Sequence, residues 1–238
     1  MPQPFLSVVI PAFNEEQRIS DTLSQVVEYL MARDYAWEIV VADDGSHDHT
    51  GQLVDRVISE HPNVRVLRLP HRGKGWAVKN GMLAAQGEYR LLCDADLSVP
   101  IAQVERLLPP LGPGSDIVLG SREAPGAARI GEPARRHVMG RVFNLLLSRL
   151  VVPGLADTQC GFKCFRGEAA QDLFQRQTMD GFAFDVELLY LSRKRGLTSA
   201  EVGVDWYYRS ESKVRPVRDS LAMTLDLLKI RWRHRASA

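Results

Sequence analysis

The chain has 238 residues, 45% of them hydrophobic and 25% charged, a balance that suits one soluble domain with a substantial core. Lys and Arg total 30 against 29 Asp and Glu, and this formal net charge of +1 excludes the global basic field of a nucleic-acid binder. No stretch approaches the roughly 18 uninterrupted apolar residues of a membrane-spanning helix, and no basic-then-apolar leader opens the sequence. The expectation is a cytoplasmic protein that at most touches a membrane from one side. Cys93, Cys160 and Cys164 are odd in number and lie in or near apolar runs, which points to a reducing compartment rather than a disulfide framework.

In chain order, residues 5–10 (FLSVVI) read as a buried strand. Residues 15–31 carry Ile19, Leu23, Val26, Val27 and Leu30 at helical spacing. A strand at 37–42 (WEIVVA), a helix at 50–59 and a strand at 64–69 (VRVLRL) follow. A helix at 77–86, capped by Gly87, leads to a strand ending at Asp94, and 116–120 (DIVLG) is one more strand. Repeated strand–helix units predict a mostly parallel α/β sheet covered on both faces, with ligands at the carboxyl ends of the strands. The second half is less regular. It predicts an amphipathic helix at 135–152, a short strand at 161–165, a helix at 182–195, a strand at 201–208 and a basic amphipathic helix in the tail at 217–235. That tail carries Leu221, Leu225, Leu228 and Trp232, with Lys229, Arg231, Arg233 and Arg235 near its end. Without repeats or linkers, residues 1–238 read as a single domain.

Polar clusters fall directly after four strands: Pro11-Ala12-Phe13-Asn14-Glu15, Asp43-Asp44-Gly45-Ser46, Asp94-Ala95-Asp96 and Gly120-Ser121-Arg122. Acidic groups at neighbouring strand ends form one rim, suited to a divalent metal with a diphosphate and to ribose or sugar hydroxyls. Each cluster alone has a plainer explanation. Aspartate commonly ends a strand, and Ser46 or Asp48 can cap the following helix. Asp94 and Asp96, two apart on a strand end, point the same way and repel, so a positive partner is expected beside them. His47 and His49 flank Asp48 in a polar loop and read as solvated, while Cys160 and Cys164 lack a second ligand pair for zinc. Lys74 is followed by Gly75, so no P-loop is present, and no G-x-G-x-x-G follows the first strand. Gly73-Lys74-Gly75 can still bring a lysine and bare backbone to a phosphate. A phosphohydrolase using the first Asp of the pair is disfavoured, because its D-x-D would end the first core strand.

The ordered strings VVIPAFNEE, VVADDGSHDHT and GKGWAVKNGMLAAQGEYRLLCDADLS resemble the nucleotide-sugar domain of family 2 glycosyltransferases, of the GT-A fold. DTQCGFKCF followed by FAFDVELL is similar to the dolichyl- or polyprenyl-phosphate sugar transferases, most closely the β-glucosyltransferase branch. The resemblance spans about residues 5–215. It implies that Pro11, Ala12, Asn14, Glu15 and Asp43 hold the donor nucleoside, expected to be uridine, with Lys74 on the phosphates. Asp94 would lie near ribose or metal, and Asp96 would coordinate Mg²⁺ or Mn²⁺ on the diphosphate. Mannose-transferring relatives often place a glutamine after this segment, where Ser98 stands here.

The implied reaction is inverting transfer of glucose from UDP-glucose to a polyprenyl or dolichyl phosphate; GDP-mannose as donor, or a hydroxyl acceptor, are the alternatives. A phosphate monoester, with its second pKa of about 6, is already anionic at neutral pH and needs a cationic cradle rather than a base. Ser121, Arg122, Arg129, Arg135, Lys163, Arg209 and Lys213 supply candidates. Asp96, Asp185, Arg122 and Lys163 are the residues expected at the chemistry. For a hydroxyl acceptor, Asp185 or Glu187 would serve as base, although acids at a helix start are also favoured by the dipole. The segments at 142–152 and in the tail can rest on a bilayer or pack on the sheet or a second subunit.

Overall fold

The computed structural model describes residues 3–133, 154–209, 226 and 229–235. The helix expected at 135–152 and most of the tail helix lie outside them. A seven-stranded sheet in the order β3-β2-β1-β4-β7-β5-β8 forms the centre. It comprises β1 (Leu6–Ala12), β2 (Trp37–Asp43), β3 (Val64–Arg68), β4 (Tyr89–Cys93), β5 (Ile117–Ser121), β7 (Phe162–Arg166) and β8 (Ser199–Gly203). All neighbours are parallel except β7, which runs antiparallel to both β4 and β5. A separate parallel pair joins β6 (Ala128–Ile130) to β9 (Asp205–Tyr207).

The strands β1, β2, β4 and β5 bury both faces, as their apolar runs require. Leu6, Val8 and Ile10 of β1 face one core with Ile19, Leu23, Val26 and Leu30 of α1 (Ile19–Met31) and Val54 of α2 (Thr50–Glu60). Val9, Val40 and Leu92 face the other with α3 (Lys74–Ala84), α4 (Gly167–Arg176) and α5 (Phe184–Lys194). The alternation of side chains along each strand thus builds three layers. Because β7 is reversed, its start reaches the same sheet edge as the ends of β1, β2, β4 and β5. That edge carries the polar rim.

Four expectations change. α1 begins at Ile19, not residue 15, because Asn14 takes a left-handed φ of 51° and the Glu15 N–H is spent on Thr50 Oγ1 at 2.8 Å. α3 starts earlier, at Lys74, and ends at Ala84; Gly87 does not cap it but donates its N–H to Ser7 Oγ at 2.7 Å. The strand expected at 201–208 is two strands. Val204 bonds to both sheets, donating to Ser121 O and accepting from Ala128 N, so the chain switches partners there. α4 and β6 were not expected at all.

Candidate active site

Asp94 and Asp96 follow β4, with the buried Ala95 between them. The expected cation is Lys74, the first residue of α3, whose Nζ lies 2.7 Å from Asp94 Oδ1. Asp94 is held from the other side by Gly161: a Cβ there would sit 1.9 Å from Asp94 Oδ2, so only glycine leaves room for this carboxylate. The Asp94 N–H donates to Gly161 O at 3.2 Å, and Asp96 Oδ1 accepts from the Ser98 N–H at 2.9 Å.

Behind this pair a second one is buried. Lys163 of β7, 1% exposed, donates from Nζ to Asp185 Oδ1 at 2.6 Å and to Cys160 O at 2.5 Å. Asp185 stands in the first turn of α5. Burial raises its pKa above the ordinary carboxylate value, and Lys163 and Lys74 only partly oppose this. For Lys74 the balance is reversed: burial works against the ammonium, but Asp94, Asp185 and Asp96 outweigh it and raise its pKa. The result is a run of alternating charge, Asp94, Lys74, Asp185, Lys163. Burial with Asp94 and Asp96 nearby also pushes the Cys93 thiol well up, so this free, buried cysteine is no nucleophile.

Pro11 and Ala12 close β1 and are buried. Asn14 donates its N–H to Ser46 Oγ at 2.9 Å and accepts from the His47 N–H at 2.9 Å through Oδ1. Glu15 pairs with Arg18 at 2.8 Å. Asp43 Oδ1 accepts from the backbone and hydroxyl of Ser46, at 2.9 and 2.6 Å. These five expected donor residues are therefore neighbours, tying the loops after β1 and β2 together. Asp44, expected in the acidic rim or as a turn residue, holds the next loop: its oxygens accept from Arg72 N and Gly73 N at 3.0 and 2.9 Å, and His71 Nδ1 lies 2.7 Å away. His71 in turn stacks on Phe13, with ring centroids 4.0 Å apart.

On the β5 side the candidates divide. Ser121 is fully buried and its Oγ accepts from Glu123 N and Ala124 N, at 3.2 and 3.1 Å, so it secures the turn. Arg122 is gripped by Asp157, with Nε–Oδ2 2.7 Å and Nη2–Oδ1 2.9 Å, and lies over the Trp206 ring. Burial would raise the Asp157 pKa, but Arg122 overrides it and holds the carboxyl well below its usual range. Arg129 is shared by Glu123 and Glu132, at 2.5 and 2.7 Å. Arg209 is exposed, and Arg135 and Lys213 lie outside the described residues. Glu187 is not available as a base. Wholly buried, it accepts from Thr178 N, Thr178 Oγ1 and Met179 N, and lies 2.7 Å from His234 Nε2. Asp157 and Gly161 were missed as contributors, although both stand in the string DTQCGFKCF.

The family model for glycosyl transferase family 2 matches residues 7–174, a span that contains every strand end of this rim except β8 and β9. The chain belongs to that family. This family 2 glycosyltransferase is 36% identical to a dolichyl-phosphate beta-glucosyltransferase of Dictyostelium discoideum, over 97% of its own length and 75% of the relative's. It is 35% identical to the human protein of the same name, over 100% of its own length and 78% of the relative's. Among solved structures, glucosyl-3-phosphoglycerate synthase of Mycobacterium tuberculosis, in complex with Mn²⁺, UDP and glucosyl-3-phosphoglycerate, matches with a TM-score of 0.65. That likeness, at 23% identity over 95% of this chain and 80% of the other, is one of fold. The architecture is the GT-A fold, and the protein is a glycosyltransferase. Among its described residues no helix is long and apolar enough to cross a membrane.

Proposed function

We propose that the protein transfers glucose from UDP-glucose to a polyprenyl or dolichyl phosphate, inverting an α-linked donor into a β-linked lipid-phosphate sugar. The observation that carries this reading is the identity of 35 to 36% with dolichyl-phosphate beta-glucosyltransferases over nearly the whole chain, well past the end of the family model. In the reaction, an anionic acceptor oxygen bonds to the anomeric carbon as the bond from that carbon to UDP breaks and UDP departs with the electron pair. No proton need be removed from a lipid phosphate near neutral pH.

The residues fit these tasks. Asn14 and Asp43, on the loops joined by Ser46, hold the nucleoside. Lys74 meets the diphosphate, and Asp94 places Lys74. Asp96 fits a divalent cation: it is a hard oxygen donor at the partly exposed rim, and Mg²⁺ or Mn²⁺ is usually bound by one or two carboxylates plus substrate phosphates. Among the described residues no three acidic, His or Cys side chains gather to hold such an ion, which suits a metal carried in with the diphosphate. When bound, the cation stabilises charge on the departing diphosphate. Arg122 forms the cationic side toward the acceptor, with Asp157 orienting it, while the buried Lys163 holds Asp185 in place behind the rim. A hydroxyl acceptor is the second reading, favoured by the raised pKa of Asp185, which suits a base.

The enzyme is expected to work at the cytoplasmic membrane surface, where its acceptor resides. Trp232, 77% exposed beside Arg231, Arg233 and Arg235, suits such an interface. The deciding experiment offers short polyprenyl phosphate with UDP-glucose, GDP-mannose or UDP-N-acetylglucosamine, and Mn²⁺ or Mg²⁺. A β-glucosyl lipid formed with UDP-glucose alone is expected. Donor binding without lipid product would overturn the lipid-phosphate assignment.

A further inference from the structure

The residues of segment 229–235 are far in sequence from the rim, yet one buried carboxylate links the two. Ile230 is fully buried in the core that α5 covers. Lys194 Nζ donates to His234 O at 2.6 Å, and Arg233 Nη1 reaches Thr178 Oγ1 at 3.2 Å. His234, 4% exposed, places Nε2 2.7 Å from Glu187 Oε1. The same carboxylate takes the N–H groups of Thr178, at 3.0 Å, and Met179, at 2.9 Å. It is thus the anchor of the 178–181 turn.

That turn is in backbone contact with the first turn of α3, which carries Lys74. Trp76 N donates to Asp180 O at 3.1 Å, and Gln177 Nε2 bridges Gly75 O and Met179 O, both at 2.8 Å. A Cβ on Gly73 would lie 2.6 Å from Asp180 O, and one on Gly75 2.5 Å from Met179 O. Two backbones packed this closely leave no slack, so displacement of one moves the other. Beyond the contact lies the Lys74 ammonium, 2.7 Å from Asp94.

We infer that Glu187 and His234 are positioning residues for the transfer reaction: through the 178–181 turn they set Lys74 against Asp94, making segment 229–235 part of the donor site. A 1 Å misplacement far from the chemistry can cost on the order of 100-fold in rate. The functional half of this inference rests on the donor reading above; the mechanical half does not.

The experiment takes the full chain with His234→Ala, Glu187→Gln and the conservative His234→Gln, and reads backbone hydrogen exchange and UDP affinity in the presence of Mn²⁺. His234→Ala should speed exchange at residues 74–77 and 178–181 by about tenfold or more, leave β1 and β2 unchanged and weaken UDP binding by about tenfold, with partial recovery in His234→Gln. In a Lys74→Ala background, His234→Ala should add little further loss of UDP affinity, because the route runs through Lys74. Unchanged exchange at 74–77, equal acceleration throughout the molecule, or full additivity with Lys74→Ala would each overturn the inference. If exchange responds as expected but the wild-type protein binds no UDP, the donor reading fails and the mechanical link stands.

Discussion

At the scale of single residues, the rim separates groups that act through charge from groups that only hold others. Asp96 has one oxygen engaged by the Ser98 N–H and sits at the partly exposed edge. Asp96→Ala should keep the fold and its melting temperature while lowering transfer by at least about 100-fold, the scale of a lost electrostatic contact in a transition state. Unchanged turnover would remove Asp96 from the mechanism. Arg122 differs, because its partner Asp157 is wholly buried and charged. Arg122→Met removes the guanidinium that offsets the buried charge of Asp157 and should cost about 3–5 kcal/mol by denaturant unfolding, whereas Arg122→Met with Asp157→Leu should recover part of it. A single variant no less stable than wild type would show that the pair does not brace the site. Since the folded pKa of Asp157 is depressed, its contribution is present above the unfolded value of about 3.9 and is lost as pH falls below it. The double variant should therefore lose stability less steeply below pH of about 4.

At the scale of elements, β4 and β7 meet where the chemistry is set. Gly161→Ala would drive a methyl group against Asp94 Oδ2, and the cheapest relief is rotation of that carboxylate away from Lys74. Transfer should fall by about 100-fold in kcat/KM with the far-ultraviolet dichroism unchanged, whereas wild-type kinetics would show that Asp94 has room to spare. The parts of this arrangement differed in how readily they could be read. β1, β2 and β4 are apolar runs bounded by polar residues, and α1 repeats its apolar residues at helical spacing, so local pattern was enough. α4 was missed because it opens on Gly167 and is half polar, although Ala169, Ala170, Leu173 and Phe174 keep a helical stripe. β6 has three residues and exists only because β9 pairs with it. The break at Val204 is likewise a tertiary event, invisible in a continuous strand-like pattern. The same holds within the site: carboxylates at strand ends were legible, but their partners were not. Lys74 with Asp94, Arg122 with Asp157 and Glu187 with His234 are separated by 20, 35 and 47 positions, and only the fold brings them together. Arg129 shows the converse, a cation suited to a phosphate by sequence and shared by two carboxylates in the structure.

For the whole molecule, a net charge of +1 says little about the rim, where three carboxylates and two ammonium groups are held together. Asp94, Asp96 and Asp185 against Lys74 and Lys163 leave a formal −3 + 2 = −1. A nucleoside diphosphate brings more negative charge to a partly buried edge, where repulsion is screened less than in water. Lys74 cannot neutralise it alone, because its charge is already shared with Asp94 and Asp185. A divalent cation reverses the local sign, so donor affinity and turnover should depend on it together. Chelation should weaken UDP binding by about tenfold or more and abolish transfer, and Mn²⁺ or Mg²⁺ should restore both. Asp96→Ala should blunt the restoration, whereas a surface variant on α2 such as Glu60→Ala should leave it intact. UDP binding that is indifferent to chelation would mean that Lys74 already suffices for the diphosphate, and the role given to Asp96 would then fall even if transfer itself were observed.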